Sequence, residues 1–362
     1  VLHAVGRADS QVVFTSYKDD SYGGDTNADA DTTDPAPGDW EQLYFTGNSG
    51  SILQHAIVKY GGQYSGMVQI NTDNVPTIDS SYISRSDNDG VNINGANSGM
   101  ITNSFITGNN DHGVTLTHNY SDYTNYEFYN TVFQGNGNHG LRVNNGSDAI
   151  TVEDCAFLYN GNSGMYVEKA AEPQNIRDNE FRGNGGYGLV NVSAQSAVSP
   201  HEVVIDSNLF ADNNKDGMAT SAAEVIGNTF LNNTYPFSVT GHLGNVYNRL
   251  ADMGNQTGPP NSFVGNRYNN AIGVRDIAHL SGHLNTVFPD SITSGTYVVT
   301  GNDVNVDNGK TLEITPGVIV KFEPGNRLKS DGTLIAQGLS DQPIIFTSYR
   351  DSTYGGKTNA KS

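Results

Sequence analysis

Residues 130–167 read NTVFQGNGNHGLRVNNGSDAITVEDCAFLYNGNSGMYV, and the same short phrase occurs twice within them. An aromatic residue is followed seven positions later by glycine, as Phe133–Gly140 and then Phe157–Gly164. An asparagine falls between the members of each pair (Asn136, Asn160), and apolar residues alternate after each glycine (Leu141/Val143, Met165/Val167). Alternation with period two over three or four residues marks a short strand. The Asn- and Gly-rich links supply corners with positive φ.

Outward from this stretch the phrase continues. The pairs Ile83–Gly90, Phe105–Gly113, Phe181–Gly188 and Phe210–Gly217 extend it, and the successive glycines are 23, 27, 24, 24 and 29 residues apart. A unit of that length cannot bury its own apolar face and must stack on its neighbours. Leucine-rich repeats need periodic leucines that are missing, and no long segment has the 3.6-residue period of helical repeats. The expected fold is therefore all-β, a right-handed parallel β-helix (solenoid) with coils of about 24 residues. Phe105, Phe133, Phe157, Phe181, Phe210 and Phe230 are expected to form an internal stack. The aligned asparagines are expected to form hydrogen-bonded ladders.

A longer super-repeat overlies the short one. Residues 1–28 align without gaps to residues 333–360, with 15 of 28 positions identical. This predicts one period of a tandem array, with coils and an acidic loop insertion over 1–60 and regular coils over 61–240. Irregular coils or a linker are expected over 241–295, and the start of the next super-repeat over 296–362. The opening at Val1, without Met or signal segment, suggests a piece of something larger.

Composition bounds the partners. The 362 residues carry 19 Lys+Arg against 38 Asp+Glu, a formal charge of −19. That excess argues against nucleic acid, which needs a basic footprint. It also works against polyanions such as pectate or alginate unless a basic patch or bound cations intervene. No apolar run approaches the length of a membrane span. The single cysteine, Cys155, excludes an intrachain disulfide and reads as a small buried hydrophobe.

The run ITPGVIVKF, GTLIAQG, QPIIFTSYRD and YGG over 314–356 carries a resemblance, joined by PAPGDWEQLYF at 35–45 and the NxFxxNxxxG coils. Together they resemble the right-handed β-helix repeat proteins of large secreted bacterial and archaeal polypeptides, a pectate-lyase-like fold. The resemblance implies a secreted or cell-surface setting. It leaves function open among adhesins, sheath proteins, polysaccharide lyases and glycoside hydrolases. Trp40, within that run, reads as structural.

Three constellations are candidates for chemistry. Asp25, Asn27, Asp29 and Asp31 place oxygen ligands at positions 1, 3, 5 and 7, the spacing of a calcium loop. Ala30 and Ala36 depart from that pattern, and Lys357 and Lys361 replace two of the carboxylates in the second copy. A solvated acidic loop is the competing reading.

The residue before each corner glycine, or two after it, forms the second constellation. It brings His112, His139, Arg142 and Tyr166 onto adjacent rungs, with the residue types that uronate β-elimination needs. The alternative is that these are exposed corner positions filled by polar residues. The third comprises Tyr120, Tyr123 and Tyr126 in a coil-lengthening insertion, suited to stacking on sugar rings or to covering a groove.

Carboxylates at 153, 154, 178, 180 and 206 give no specific glycosidase pairing. The balance favours a non-catalytic structural or adhesive segment of a large extracellular protein, contacting polysaccharide or neighbouring repeats. The alternative is a lyase or glycoside hydrolase.

Overall fold

A computed structural model describes residues 1–30, 32–47, 50–72, 76–95, 98–117, 124–146, 148–170, 174–192, 203–220, 224–239, 261–268, 271–275, 282–284 and 295–358. Among them there are strands and turns and no α-helix. The chain forms two compact units, Val1–Glu172 and Pro173–Ser362. Both are parallel β-solenoids.

The first unit contains six coils, each contributing one strand to each of three parallel sheets. The first sheet runs from His3–Val5 to Asp148–Glu153, the second from Val12–Phe14 to Ala156–Leu158, and the third from Leu43–Thr46 to Met165–Ala170. Every pairing is in register with the coil repeat, so one sequence position becomes one column. Leu53, Ile78, Ile101, Phe128 and Val152 form the inward column of the first sheet. Val58, Ile83, Ile106, Phe133 and Phe157 form that of the second. The alternating residues after each glycine fill the third, with Val114, Leu141 and Met165 in one inward column and Leu116, Val143 and Val167 in the next. Each coil thus buries its apolar face only because a neighbour covers it.

The aromatic stack is present with one correction. Phe133 and Phe157 lie 4.7 Å apart and parallel within 1°. In the second unit Phe181, Phe210, Phe230 and Phe263 form a stack of their own, at 4.9, 5.0 and 5.4 Å. Phe105 does not join; Ile106 pairs with Phe133 and takes the inward position. The inward anchor always lies seven residues before the corner glycine, whereas Phe105 lies eight before Gly113. One residue of shift turns a strand side chain to the opposite face, so Phe105 is 49% exposed.

The asparagine ladders are present as expected. In the first unit Ser86 N–H donates to Asn109 Oδ1, Asn109 N–H to Asn136 Oδ1, and Asn136 N–H to Asn160 Oδ1. In the second, two such ladders run through Asn184, Asn213, Asn233 and Asn266, and through Asn179, Asn208, Asn228 and Asn261. The matching corner of the first unit uses hydroxyls instead, with Ala56 N–H donating to Ser81 Oγ and Ser81 N–H to Ser104 Oγ. Cys155 ends this column, buried, its thiol donating to the Phe128 and Glu153 carbonyls and pushed up to about 12 by burial. Trp40 donates its indole N–H to the Lys59 carbonyl, a structural anchor.

The second unit repeats the three-sheet pattern from Gln174 onward. Its longest run comprises Leu189–Val192, Met218–Thr220, Phe237–Val239, Ile272–Val274, Thr296–Val299, Ile319–Phe322 and Ile345–Ser348. Strands Ser262–Val264 and Ile272–Val274 extend two of its sheets.

Candidate functional site

The corner before the third sheet of the first unit gathers four residues. Asp89, His112, His139 and Ser163 each precede a corner glycine, and the solenoid stacks them. His112 and His139 face each other with ring centroids 5.2 Å apart and planes within 1°. Tyr166 continues the stack at 4.9 Å from His139. Arg142 points back along the column, its Nη1 3.3 Å from His112 Nε2. The sequence-derived group is therefore assembled in space.

Its hydrogen bonds decide what it can do. His112 N–H donates to Asp89 Oδ1 at 3.0 Å, His139 N–H to His112 Nδ1 at 3.2 Å, and Ser163 N–H to His139 Nδ1 at 3.2 Å. Both imidazoles therefore spend their Nδ1 lone pair on backbone donors and carry their proton on Nε2. Against a proton-bearing Nε2 the Arg142 contact is donor to donor, and Asp111 Oδ1 at 3.5 Å is the acceptor nearby. Both rings are more than nine-tenths buried. Burial and the neighbouring His112 depress His139 to about 4, and burial likewise lowers His112. The expectation that these corner positions are exposed polar sites is corrected for both histidines: they are interior rungs of a third ladder. Tyr166 is half-buried, and burial raises its phenol above the ordinary value.

Asp89, Asp111 and His112 also bring one potential ligand atom each within 4.8 Å of one another. A metal there would need a free lone pair on His112. Nδ1 is committed to His139 N–H, Nε2 holds the proton, and a guanidinium lies beside it. The group therefore suits a corner ladder better than a cation.

The acidic loop is built differently from its linear spacing. Asp20, Asp25 and Asp29 converge, with carboxylate oxygens within 4.8 Å of one another. Asp25 accepts the N–H groups of Asp29 and Ala30, each at 3.0 Å. Asp29 accepts from Asn27 Nδ2 at 2.9 Å, and also from Thr32 N–H and the Thr33 hydroxyl. Hydrogen bonding from Thr33 holds the Asp29 carboxyl below its ordinary value. The buried Asn27 Oδ1 has no donor among the described residues. Asp20 was missed because the reading followed alternate positions and not the turn that folds residue 20 back; Asp31 lies outside the described residues.

Tyr120 and Tyr123 also lie outside the described residues. The expected sugar contact of Tyr126 is corrected: it lies in strand Thr124–Tyr129, paired with Ile150 of the next coil and only 2% exposed, so its ring is spent on the core. Asp154 and Asp178 adopt φ of 54° and 57° and serve as left-handed corners.

In the second unit sequence reasoning missed a buried pair. Asp216, fully buried before Gly217, meets Arg275 with Nε–Oδ2 at 2.9 Å and accepts from Nη2 at 3.0 Å. It also accepts Tyr235 N–H at 3.2 Å, the same corner arrangement as Asp89 and His112. The corner-glycine rule points to Asp216; nothing in the local sequence flags Arg275.

A family described as "Right handed beta helix region" matches residues 42–202 and 125–251, together more than half of the chain. A curated relative, "Protein bark beetle" of Drosophila melanogaster, is 34% identical over 73 residues. That is 20% of this chain and 2% of that protein, so the chain spans a small fraction of the relative's length. No solved structure matches. The stacked coils, corner ladders and matched residues agree, and the chain belongs to the right-handed β-helix family.

Proposed function

We propose that this chain is a non-catalytic structural or adhesive segment of a larger secreted or cell-surface repeat protein, whose coils contact extracellular polysaccharide. One observation carries the reading. The residues best suited to catalysis are committed to the backbone, because both histidine Nδ1 atoms accept corner N–H groups. A lyase base needs a free lone pair within about 3 Å of the proton it removes. The recurrence of residues 1–28 at 333–360 supports a tandem, load-sharing role, since arrays gain from repetition. The test is incubation with polygalacturonate or alginate at neutral pH with calcium. No ultraviolet-absorbing unsaturated uronate should accumulate. Accumulation abolished by His139→Ala or Arg142→Ala would replace this reading with the lyase.

Calcium is part of the same proposal. The three converging carboxylates form a hard oxygen set of the kind the ion prefers, and Asn27, bonded to Asp29 through Nδ2, carries a donor-free Oδ1. Millimolar calcium should raise the unfolding temperature by linkage, and Asp25→Asn with Asp29→Asn should remove the rise. An unchanged rise in that double variant, or no heat on isothermal titration of the parent, would exclude the loop.

A further inference from the structure

Phe105 turns outward into a row of uncharged side chains. Along the second sheet of the first unit the register aligns Val13, Ile57, Tyr82, Phe105, Val132 and Ala156. These six rungs carry no charge, on a chain of formal charge −19; Ile57 is buried, and the four rungs from Tyr82 to Ala156 form the open part of the row. Tyr82 and Phe105 are 39% and 49% exposed, their ring centroids 6.4 Å apart. Polar groups border the row on both sides. Lys59, Ser84, Thr107 and Gln134 form the next column, in which Ser84 is buried, and Thr107 donates its hydroxyl to Tyr82 Oη at 3.1 Å. On the other side Asn130 donates to Asn103 Oδ1 at the corner.

We infer that this row is a docking track for a single strand of uncharged polysaccharide, with Tyr82 and Phe105 as its central contacts. The inference rests on the polysaccharide-contact reading above and assigns the surface and the ligand class. Width is the first argument. The four open rungs, about 4.8 Å apart, span about 14 Å, and one side-chain column is about 7 Å across. That area is a small fraction of the roughly 800 Å² per partner of a stable protein interface, so a second copy of the chain fits poorly. A narrow linear polymer fits well.

Charge is the second argument. The row itself is uncharged, Lys59 in the bordering column lies 3.9 Å from the Asp19 carboxylate, and the net charge of −19 disfavours an anionic chain. Chemistry is the third. A sugar ring presents apolar C–H faces with hydroxyls at its rim. The track presents aromatic rings flanked by the Tyr82 and Thr107 hydroxyls and the Gln134 and Asn103 amides.

The experiment uses the whole chain, insoluble cellulose and chitin, and polygalacturonate as the anionic comparison. Retention is expected on cellulose or chitin and not on polygalacturonate. Tyr82→Thr with Phe105→Thr should weaken retention about tenfold or more at an unchanged unfolding temperature. Tyr44→Thr, exposed on the third sheet, should bind like the parent. Retention unaffected by the double substitution would overturn the track while leaving polysaccharide contact intact. Absence of retention on both neutral polymers would overturn the track. If polygalacturonate were retained instead, contact with polysaccharide would survive. Self-association in sedimentation, lost in the double variant, would give the row to a second copy.

Discussion

At the scale of single residues, His139 shows how burial and one hydrogen bond fix a chemical role. Its pKa is depressed to about 4, against about 6.5 in an unfolded chain. Between those values the unfolded chain takes up the proton first, so stability falls on acidification by up to roughly 1.4 kcal/mol per pH unit. Above pH 6.5 the ring is neutral in both states and this contribution is flat. His139→Asn keeps an acceptor for Ser163 N–H and removes the titration. The decline in unfolding temperature from pH 6.5 to 4 should be shallower in that variant than in the parent. Equal slopes would mean that other groups dominate. Asp79 does not blur the result: burial pushes its carboxyl up, but hydrogen bonds from Asn103 and Thr102 hold it below its ordinary 3.8, so its loss comes at lower pH.

The alignment of His112, His139 and Tyr166 was legible because the corner glycines count the register. Their protonation was not, since it depends on backbone donors from the following coil. Phe105 was misassigned by one position, and in a strand one position is the difference between core and solvent.

At the scale of the ladder, Asn136 is the measure. It accepts from Asn109 N–H and Asn109 Nδ2, and donates to the Ile106 carbonyl and Asn160 Oδ1. Asn136→Ala strands several of these groups in a buried corner, each costing about 1–3 kcal/mol. Denaturant unfolding should register a loss of about 3 kcal/mol or more. A loss below about 1 kcal/mol would show that the corner relaxes or admits water. The Asn ladders could be read from sequence because one residue type recurs at one spacing. The Ser81, Ser104, Thr131 and Cys155 column could not, because different side chains fill equivalent corner positions there.

At the scale of the whole molecule, the coil period and the 332-residue super-repeat give the class of fold before any coordinates. The acidic loop was found by composition, but its geometry depends on Asp20, which only the folded turn brings in. Lys321, fully buried, donates its ammonium to the Asp351 and Gly356 carbonyls, each at 2.7 Å, a long-range contact that local motifs do not reveal.

The direction of the ladders has a consequence for how such a chain is made. In the asparagine ladders each corner N–H reaches forward to a side chain of the next coil. At the histidine corner the acceptor lies in the earlier coil and the donor arrives later. On a ribosome, the most recently completed coil therefore holds open forward-facing donors and a waiting imidazole until its successor emerges. Folding is then expected to trail synthesis by one coil, each new turn closing three corners of the turn before it.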